Sequence, residues 1–448
     1  MLKILTGFYN HSQSLIKGSG AFFLMNIGGV SLNFFFAMIA GNYYGSSVWG
    51  QFTLCLTVLQ LLCVFSRTGL DTLIVRLVAE EHLKKPGKVK DIYFKSAVIT
   101  FLSGVLFTSL LFLCSDILAI NFFKNAELAS QLRIISFAII PLNMLLLNSE
   151  AMKGVKYPVY SSFFRNVCVW LFAMPALLIS NLIFSNDYLV EVYIAAVVIS
   201  WIISGMMLMK QLSFFKTAGE QWLNYKSIIQ QGFPMMLANS LFYLMVWTDT
   251  LILGMFRSEA EVGVYNITFR ISMFLTLSIV AVGGVSAPDF AILNNKNDHE
   301  GLQNAIDKAN KLVFWTTFPA IVAIILLATP VLSIFGNEFK EGSIALILLS
   351  LGRLAAILGG RLPVLSMTGK QKIDQNIALA VFIINIILNL IFVPLWGVNG
   401  AAFSTMITST AWTIIAAVYM RKAMKLNALY IPFLEKKLRI CSSLKKPN

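Results

Sequence analysis

Residues 376–394 read NIALAVFIINIILNLIFVP, an uncharged apolar run that a second apolar run follows at 399–420. A helix of about 20 residues spans the hydrocarbon core of a bilayer, so each run predicts one transmembrane helix. Similar runs precede them at 20–40, 48–69, 94–115, 133–152, 162–183, 189–209, 233–256, 265–290, 312–334 and 343–362. The sequence therefore predicts an all-α polytopic membrane protein with twelve transmembrane helices.

The positive charges alternate with these runs. Nearly all of the 35 Lys and Arg residues lie in the two tails and in every second gap. The other gaps hold only Lys124, Arg133, Arg257 and Lys340. Because basic loops resist translocation, this asymmetry predicts that both termini are cytoplasmic.

Composition excludes several classes of protein. Hydrophobic residues make up 57% of the chain and charged residues 12%, about half the charged fraction of a soluble domain. The net charge of +14 is explained by topology and lipid headgroups, so no nucleic-acid partner is predicted. His11, His82 and His299 stand apart from acidic or cysteine clusters, so no metal site is expected. No nucleotide-binding loop is present either, which leaves no cofactor and points to an ion gradient (H+ or Na+) or the substrate gradient as the driving force.

The two halves of the chain resemble each other. One shift aligns Asn26 with Asn239, and a nearly equal shift aligns Gly154 with Gly369. Six spans per half give a parallel repeat, so we expect two six-helix bundles related by a pseudo-two-fold axis along the membrane normal. The predicted domains are 1–212, with a short interfacial N-terminal segment, 213–425, and a basic cytoplasmic tail at 426–448.

Charged residues inside the spans are the main candidates for function, because burying them in a bilayer is costly. Arg353 and Arg270 are predicted to make a cavity cationic and suited to an anionic headgroup, with Asn26 and Asn239 as further substrate contacts. Asp249 has two interpretations: a structural pair with Arg270, or a site for the coupling ion.

A second group of charges lies near the cytoplasmic ends of the early spans. It is a candidate cytoplasmic gate or phosphate entry site, and comprises Arg67, Asp71, Arg76, Glu150, Lys153 and Arg165. Salt bridges of Glu150 with Lys153 or Arg165, and snorkelling of the arginines to headgroups, are the alternatives. Gly69, and Gly283-Gly284 with Pro288, are predicted to interrupt spans two and eight as bending points.

Several motifs occur in order along the chain. They are Tyr44-Gly45, Gly50-Gln51-Phe52, Gly69-Leu70-Asp71, Gly232-Phe233-Pro234, Trp247 to Gly254, Leu332 to Phe339, Asn385 to Asn389 and Val393 to Ala402. Together they resemble bacterial polysaccharide flippases of the Wzx type, the O-antigen or repeat-unit branch of the multidrug/oligosaccharidyl-lipid/polysaccharide (MOP) exporter superfamily.

This resemblance implies a MATE-like fold in the bacterial inner membrane. It implies transport of undecaprenyl-pyrophosphate-linked oligosaccharide from the cytoplasmic to the periplasmic leaflet by alternating access, with a polysaccharide polymerase and a chain-length regulator as partners. The alternatives are a cation-coupled drug antiporter of the same superfamily, a lipid II flippase, although those resemble fourteen-span chains, and a membrane polymerase or ligase. The short outward loops argue against the enzyme.

Overall fold

The computed structural model describes residues 2–84, 87–183, 188–213, 224–359, 362–430 and 432, without the side chains of 2–20, 22–23, 82–84, 87, 183, 213, 237–239, 241–242 and 245. The α-helices are α1 (Leu2–Ser66), α2 (Leu70–Lys84), α3 (Gly87–Ile117), α4 (Glu127–Ser136), α5 (Ile139–Gly154), α6 (Pro158–Ser162), α7 (Cys168–Ile183), α8 (Leu189–Ser213), α9 (Tyr225–Phe256), α10 (Glu259–Phe274), α11 (Leu277–Asn295), α12 (His299–Leu326), α13 (Ala328–Ser333), α14 (Ser343–Ile357), α15 (Val364–Met367) and α16 (Gln371–Ala423). Two π-helical turns, Leu118–Phe122 and Phe163–Val167, and one 3-10 turn, Asn337–Gly342, complete the elements. No β-strand occurs in these ranges, so the predicted all-α class is confirmed.

The two longest helices are each broken at one glycine. Gly45 in α1 has φ 79°, and Gly397 in α16 has φ 54°. Such positive φ values are open to glycine at little cost. Both breaks fall in gaps between predicted spans, so the sequence located them correctly.

Among the residues that the structure describes, seven helices are long and apolar enough to cross a membrane, or eight if the pair α4 and α5, bent by 43°, counts as one span. Two of the seven contain the glycine breaks just described. Apolar side chains also face outward along α3, where Leu113 is 75% exposed, as expected of a surface covered by lipid. The chain is a multi-pass membrane protein; the count of twelve spans stays a prediction.

The predicted bending points have different outcomes. Gly69 (φ 75°) does end α1, and the chain continues as α2, as the sequence indicated. The prediction for Gly283, Gly284 and Pro288 is wrong, because α11 runs through all three and the interruption lies earlier, between α10 and α11. Gly283 instead allows close packing: an added β-carbon would lie 3.1 Å from Pro363 Cδ.

The chain divides into two compact units, unit 1 (Met1–Trp247) and unit 2 (Thr248–Asn448), with the boundary inside α9. The core of unit 1 includes a cluster of aromatic rings around Phe36, Trp49 and Trp170, with neighbouring centroids 5.3–6.4 Å apart. Unit 2 has a hydrophobic core to which Leu426, Ala428 and Tyr430 belong, so the start of the predicted tail packs into it. The predicted domain bounds, drawn from the repeat and the charge pattern, stay predictions.

Candidate functional site

The charges that the sequence singled out form two groups, one in each unit. In unit 1, Arg67 and Asp71 flank the break between α1 and α2. Thr68 (φ 49°) and Gly69 turn the chain there, which brings Arg67 Nε within 3.5 Å of Asp71 Oδ2. Arg67 is buried and also donates from Nη1 to Asn143 Oδ1 at 3.4 Å. Asp71 lies in the first turn of α2, where the helix dipole favours a negative charge.

Arg165 and Asn166 lie on the π-helical turn Phe163–Val167. π-Helical turns are rare and frequently occur at functional sites, because the extra residue displaces side chains from the regular helical register. Arg165 pairs with the buried Glu150 of α5, and Asn166 Nδ2 donates to Asn26 Oδ1 of α1 at 2.7 Å. The predicted Glu150–Arg165 salt bridge is therefore confirmed.

These groups line one cavity of about 210 Å³ in unit 1. Its polar wall contains Arg67, Asp71, Glu150, Arg165, Asn166 and Gln60. Its aromatic wall contains Trp170, Tyr193, Tyr243 and Trp247, the last two stacked at 5.1 Å between centroids. The cavity thus combines two guanidinium groups and two carboxylates with a face of aromatic rings. We refer to it as the unit 1 cavity.

The structure does not gather the whole predicted gate. Lys153 reaches Glu150 at 3.8 Å, but its side chain is half-exposed and does not line the cavity. Arg76 pairs with Glu80 on the exposed face of α2, away from Arg67, because the buried face of that helix carries aliphatic side chains. Asn26 joins the cavity wall through Asn166. The side chain of Asn239 lies outside the described residues.

In unit 2, Asp249 is the centre of a buried polar cluster. Its Oδ2 accepts hydrogen bonds from the hydroxyls of Tyr265 (2.6 Å) and Thr405 (2.5 Å), and its Oδ1 accepts from Asn389 Nδ2 (2.7 Å). These donors come from α10 and from both halves of α16. Asp249 is thus bonded to neutral donors rather than to Arg270, contrary to the structural pair that the sequence left open.

Two amide oxygens in this cluster are buried and have no hydrogen-bond partner, Asn385 Oδ1 and Asn389 Oδ1. Asn385 Nδ2 donates to Thr408 Oγ1 at 3.4 Å, which connects the first half of α16 to the second half. A buried unpaired oxygen is costly, and amide and carboxylate oxygens are the ligand types that small hard cations take. We call Asp249, Tyr265, Asn385, Asn389 and Thr405 the Asp249 cluster. Within the described ranges, no group of three or more His, Cys, Asp or Glu residues suits a metal ion.

Arg353 of α14 is 8% exposed. Its Nη2 contacts Met273 Sδ at 3.3 Å, its guanidinium carbon lies 5.8 Å from the centre of the Phe269 ring, and its Nε is buried without a partner. Arg270, half-buried, precedes Met273 on the same helix and donates to Asn266 at 2.7 Å. The structure therefore brings both predicted arginines to one stretch of α10.

Sequence reasoning missed the aromatic wall of the unit 1 cavity and the roles of Tyr265 and Thr405. A hydroxyl or an aromatic ring in an apolar span carries no signal by itself, since most such groups only pack. The spacing of Asn385 and Asn389, one helical turn apart, was the one local indication of a polar face.

Comparison with known proteins agrees with this architecture. The family model described as "Polysaccharide biosynthesis protein" matches residues 15–293, and the MatE family model matches residues 234–420. The probable low-salt glycan biosynthesis flippase Agl15 of Haloferax volcanii is 24% identical over 430 residues, which is 93% of this chain and 86% of that protein. The probable flippase AglR of the same organism is 27% identical over 184 residues, 40% of this chain and 38% of its own length.

Solved structures give the same fold. The lipid II flippase MurJ in its inward closed conformation superposes with a TM-score of 0.70 at 18% identity, covering 96% of this chain and 91% of its own. An inward-facing MATE multidrug transporter of the MOP superfamily gives 0.65 at 14% identity, covering 92% and 94%. These likenesses confirm the predicted MATE-like fold. Since the first family model spans more than half of the sequence, the chain belongs to the polysaccharide biosynthesis protein family.

Proposed function

We propose that this protein is a flippase that moves a lipid-linked glycan across the membrane. The family, the flippase names of the curated relatives and the MurJ-like fold support this function. The same comparisons argue against a polymerase or ligase, because the named relatives are transporters.

The unit 1 cavity is the observation that carries the proposal. A lipid-linked glycan presents phosphate oxygens beside sugar rings. Guanidinium groups bind phosphate through planar, paired donors, and aromatic rings offer flat faces on which the C–H side of a sugar can stack. Arg67 and Arg165 each contact a carboxylate, but a guanidinium has five N–H donors, so both keep donors for an anion.

The finer proposal follows the sequence resemblance. The carrier lipid would be undecaprenyl pyrophosphate, and the cargo would be an O-antigen or related repeat unit. The protein would lie in the bacterial inner membrane with both termini in the cytoplasm. Alternating access would pass the glycan from the cytoplasmic to the periplasmic leaflet, where a polymerase and a chain-length regulator would receive it. In this scheme Arg270, Arg353, Asn26 and Asn239 also contact the substrate, and the charged wall of the unit 1 cavity both receives the phosphate and acts as the cytoplasmic gate.

The Asp249 cluster is our candidate for ion coupling. The carboxylate and two unpaired amide oxygens, with hydroxyls beside them, are the ligand types that suit Na+, and the carboxylate alone suits H+. Coupling to a gradient of either cation is therefore the mechanism that this chemistry supports.

One observation favours a second function, a cation-coupled drug antiporter: the MatE family model matches residues 234–420. The two functions differ in cargo. An antiporter would export organic cations, whereas a flippase would move an anionic lipid-linked glycan.

Reconstitution into liposomes tests both. Undecaprenyl-pyrophosphate-linked oligosaccharide with a fluorescent sugar is placed in both leaflets, and an impermeant quencher reports exchange between them. We expect protein-dependent exchange that Arg67→Gln and Arg165→Gln together abolish. Efflux of a cationic dye without glycan exchange would overturn the proposal in favour of the antiporter. The absence of both dye efflux and exchange of any lipid-linked glycan would also reject the proposal.

A further inference from the structure

Arg257 occupies the tight turn between α9 and α10. It follows directly on Phe256, the last residue of α9, and precedes Ser258, whose side chain caps α10. Its Nε donates to Val393 O at 3.1 Å and its Nη2 to Pro394 O at 2.7 Å. These carbonyl groups belong to the last turn of α16 before the break, where the following turn no longer supplies every donor. Arg257 supplies donors in their place.

Glu261 completes this arrangement. An added β-carbon on Gly397 would clash with the Glu261 carboxylate and would lie 3.4 Å from Arg257 Nε. Side chains of the α9–α10 turn therefore close directly over the break in α16. We call Arg257, Glu261 and Gly397 the turn lock.

The turn lock lies one or two helical turns from the Asp249 cluster on every helix that builds that cluster. Residues four or eight apart share one face of a helix. The pairs are Arg257, the residue directly after α9, with Asp249 of α9, then Glu261 with Tyr265 on α10, and Val393 with Asn389 and Gly397 with Thr405 on α16. The turn lock therefore connects the ends of the same helical segments whose side chains meet in the Asp249 cluster one or two helical turns away.

We propose that Arg257 is a positioning residue for the Asp249 cluster. By bridging the end of α9 to the broken α16, it sets the spacing of the oxygens that bind the coupling cation. This inference rests on the ion coupling proposed above. It assigns Arg257, which the charge pattern marked only as one of the few outward-facing basic residues, a role in cation affinity.

The geometry also predicts that the role needs arginine and not just a positive charge. The guanidinium bridges two successive carbonyl groups from two of its nitrogens, and a lysine ammonium on a flexible stem does not hold that paired geometry. Cation sites require oxygens at nearly fixed distances, so a looser α16 lowers affinity although no ligand is lost.

The test compares Arg257→Gln and Arg257→Lys with wild type in liposomes, while Na+ is varied at constant ionic strength and, separately, pH is varied. Arg133→Gln is the matched control, since Arg133 is also an outward basic residue, paired with Asp116. We expect both Arg257 variants to raise the cation concentration for half-maximal flipping by about 10-fold or more, as loss of an outer-shell partner does at metal sites. Their rate at saturating cation should stay close to that of wild type.

An unchanged half-maximal concentration, an equal shift in Arg133→Gln, or a loss of maximal rate alone would overturn the inference. If wild type flips glycan without regard to Na+ or pH, the inference fails and the flippase stands. If wild type moves no lipid-linked glycan, the proposed function fails, and thermal unfolding of the purified variants against Na+ and pH decides the inference. The cation must then raise the unfolding temperature of wild type and of Arg133→Gln, and it must raise that of both Arg257 variants less. Any other pattern rejects the inference.

Discussion

The hydroxyl of Thr405 donates a 2.5 Å hydrogen bond to Oδ2 of Asp249, which joins the second half of α16 to α9. Asn389 reaches Oδ1 of the same carboxylate from the first half of α16. One buried acidic group therefore connects both halves of a helix that is broken at Gly397. Protonation of Asp249, or the binding of a cation to it, would therefore act on both halves of α16 together.

Asp249→Asn should remove the response of transport to a cation. The amide keeps only one acceptor oxygen, so the groups that donate to the other oxygen must rotate to accept from the new NH2 or lose their hydrogen bond, and each bond lost costs about 1–3 kcal/mol. Flipping rates measured against Na+ and pH should become flat, and the thermal unfolding temperature should fall. Asp374→Asn, a change to a half-buried carboxylate bonded to Ser366, is the control. A normal cation response in Asp249→Asn would exclude this cluster as the coupling site.

The origin of this cluster shows what the sequence could provide. Asp249 and the Asn385–Asn389 pair were recognisable because polar groups are costly in an apolar span. Thr405 and Tyr265 were not, since their position against Asp249 depends on how three helices pack. The all-α class and the break at Gly69 depend on local composition and local φ values, and both were predicted from the sequence.

The unit 1 cavity, too, could be predicted only in part from the sequence. Charges at the ends of the early spans indicated a gate, and four of the six residues do line one cavity. Arg76 does not, because a helical face and not sequence proximity decides which cavity a side chain enters. The π-helical turn that places Arg165 has no recognisable pattern in the sequence. Gly283 and Gly284 misled because a glycine pair permits a break without requiring one.

Arg353→Ala should abolish flipping while the protein still inserts and accumulates. Its guanidinium lies over Phe269 with a buried, unpartnered Nε, so it has donor capacity that the described fold does not use. Loss of a buried charged contact to an anionic cargo costs about 2–5 kcal/mol, which corresponds to a loss of rate of about 30-fold or more. The measurement is the flipping rate per reconstituted molecule, with Arg76→Ala, an exposed arginine of α2, as the control. Normal transport by Arg353→Ala would remove Arg353 from the substrate path.

Trp247→Ala should weaken glycan binding more than Trp247→Phe. Trp247 stacks on Tyr243 in the aromatic wall of the unit 1 cavity, and an aromatic pair contributes about 0.5–1.5 kcal/mol beyond burial. We expect the half-saturating concentration of lipid-linked oligosaccharide to rise several-fold in the alanine variant and little in the phenylalanine variant. Trp396→Ala removes a half-exposed ring outside this cavity and should leave the half-saturating concentration unchanged. Equal half-saturating concentrations for all three variants would show that the sugar does not contact the aromatic wall.

The Glu150–Arg165 pair should show strong coupling in a double-mutant cycle. Arg165→Gln leaves the buried Glu150 carboxylate without its guanidinium. Because the Arg165 side chain is itself 40% exposed, solvent screening keeps the cost below the roughly 3–5 kcal/mol of a fully buried pair. Lys153, whose Nζ lies 3.8 Å from Glu150 Oε2, recovers a part of this cost. Glu150→Gln with Arg165→Gln should therefore unfold at a higher temperature than Arg165→Gln alone. Additive effects of the two substitutions would mean that the pair contributes little and that the gate is held by other contacts.

Gly69→Ala and Gly284→Ala should have opposite outcomes, although both glycines had been predicted to be bending points. Gly69 has φ 75°, and an added β-carbon would collide with the backbone of Gly232 and of Met236. Left-handed backbone costs alanine about 1–2 kcal/mol before any clash, so the α1–α2 break should be destabilised and flipping should fall. Gly284 lies inside the continuous α11 with open space around it, and alanine there should raise helix stability by about 1 kcal/mol. Thermal unfolding and flipping rates of the two variants provide the comparison. Loss of transport in Gly284→Ala with full stability would restore a bend at this glycine as part of the transport cycle, because only a helix that must open there would be harmed by a better helix former.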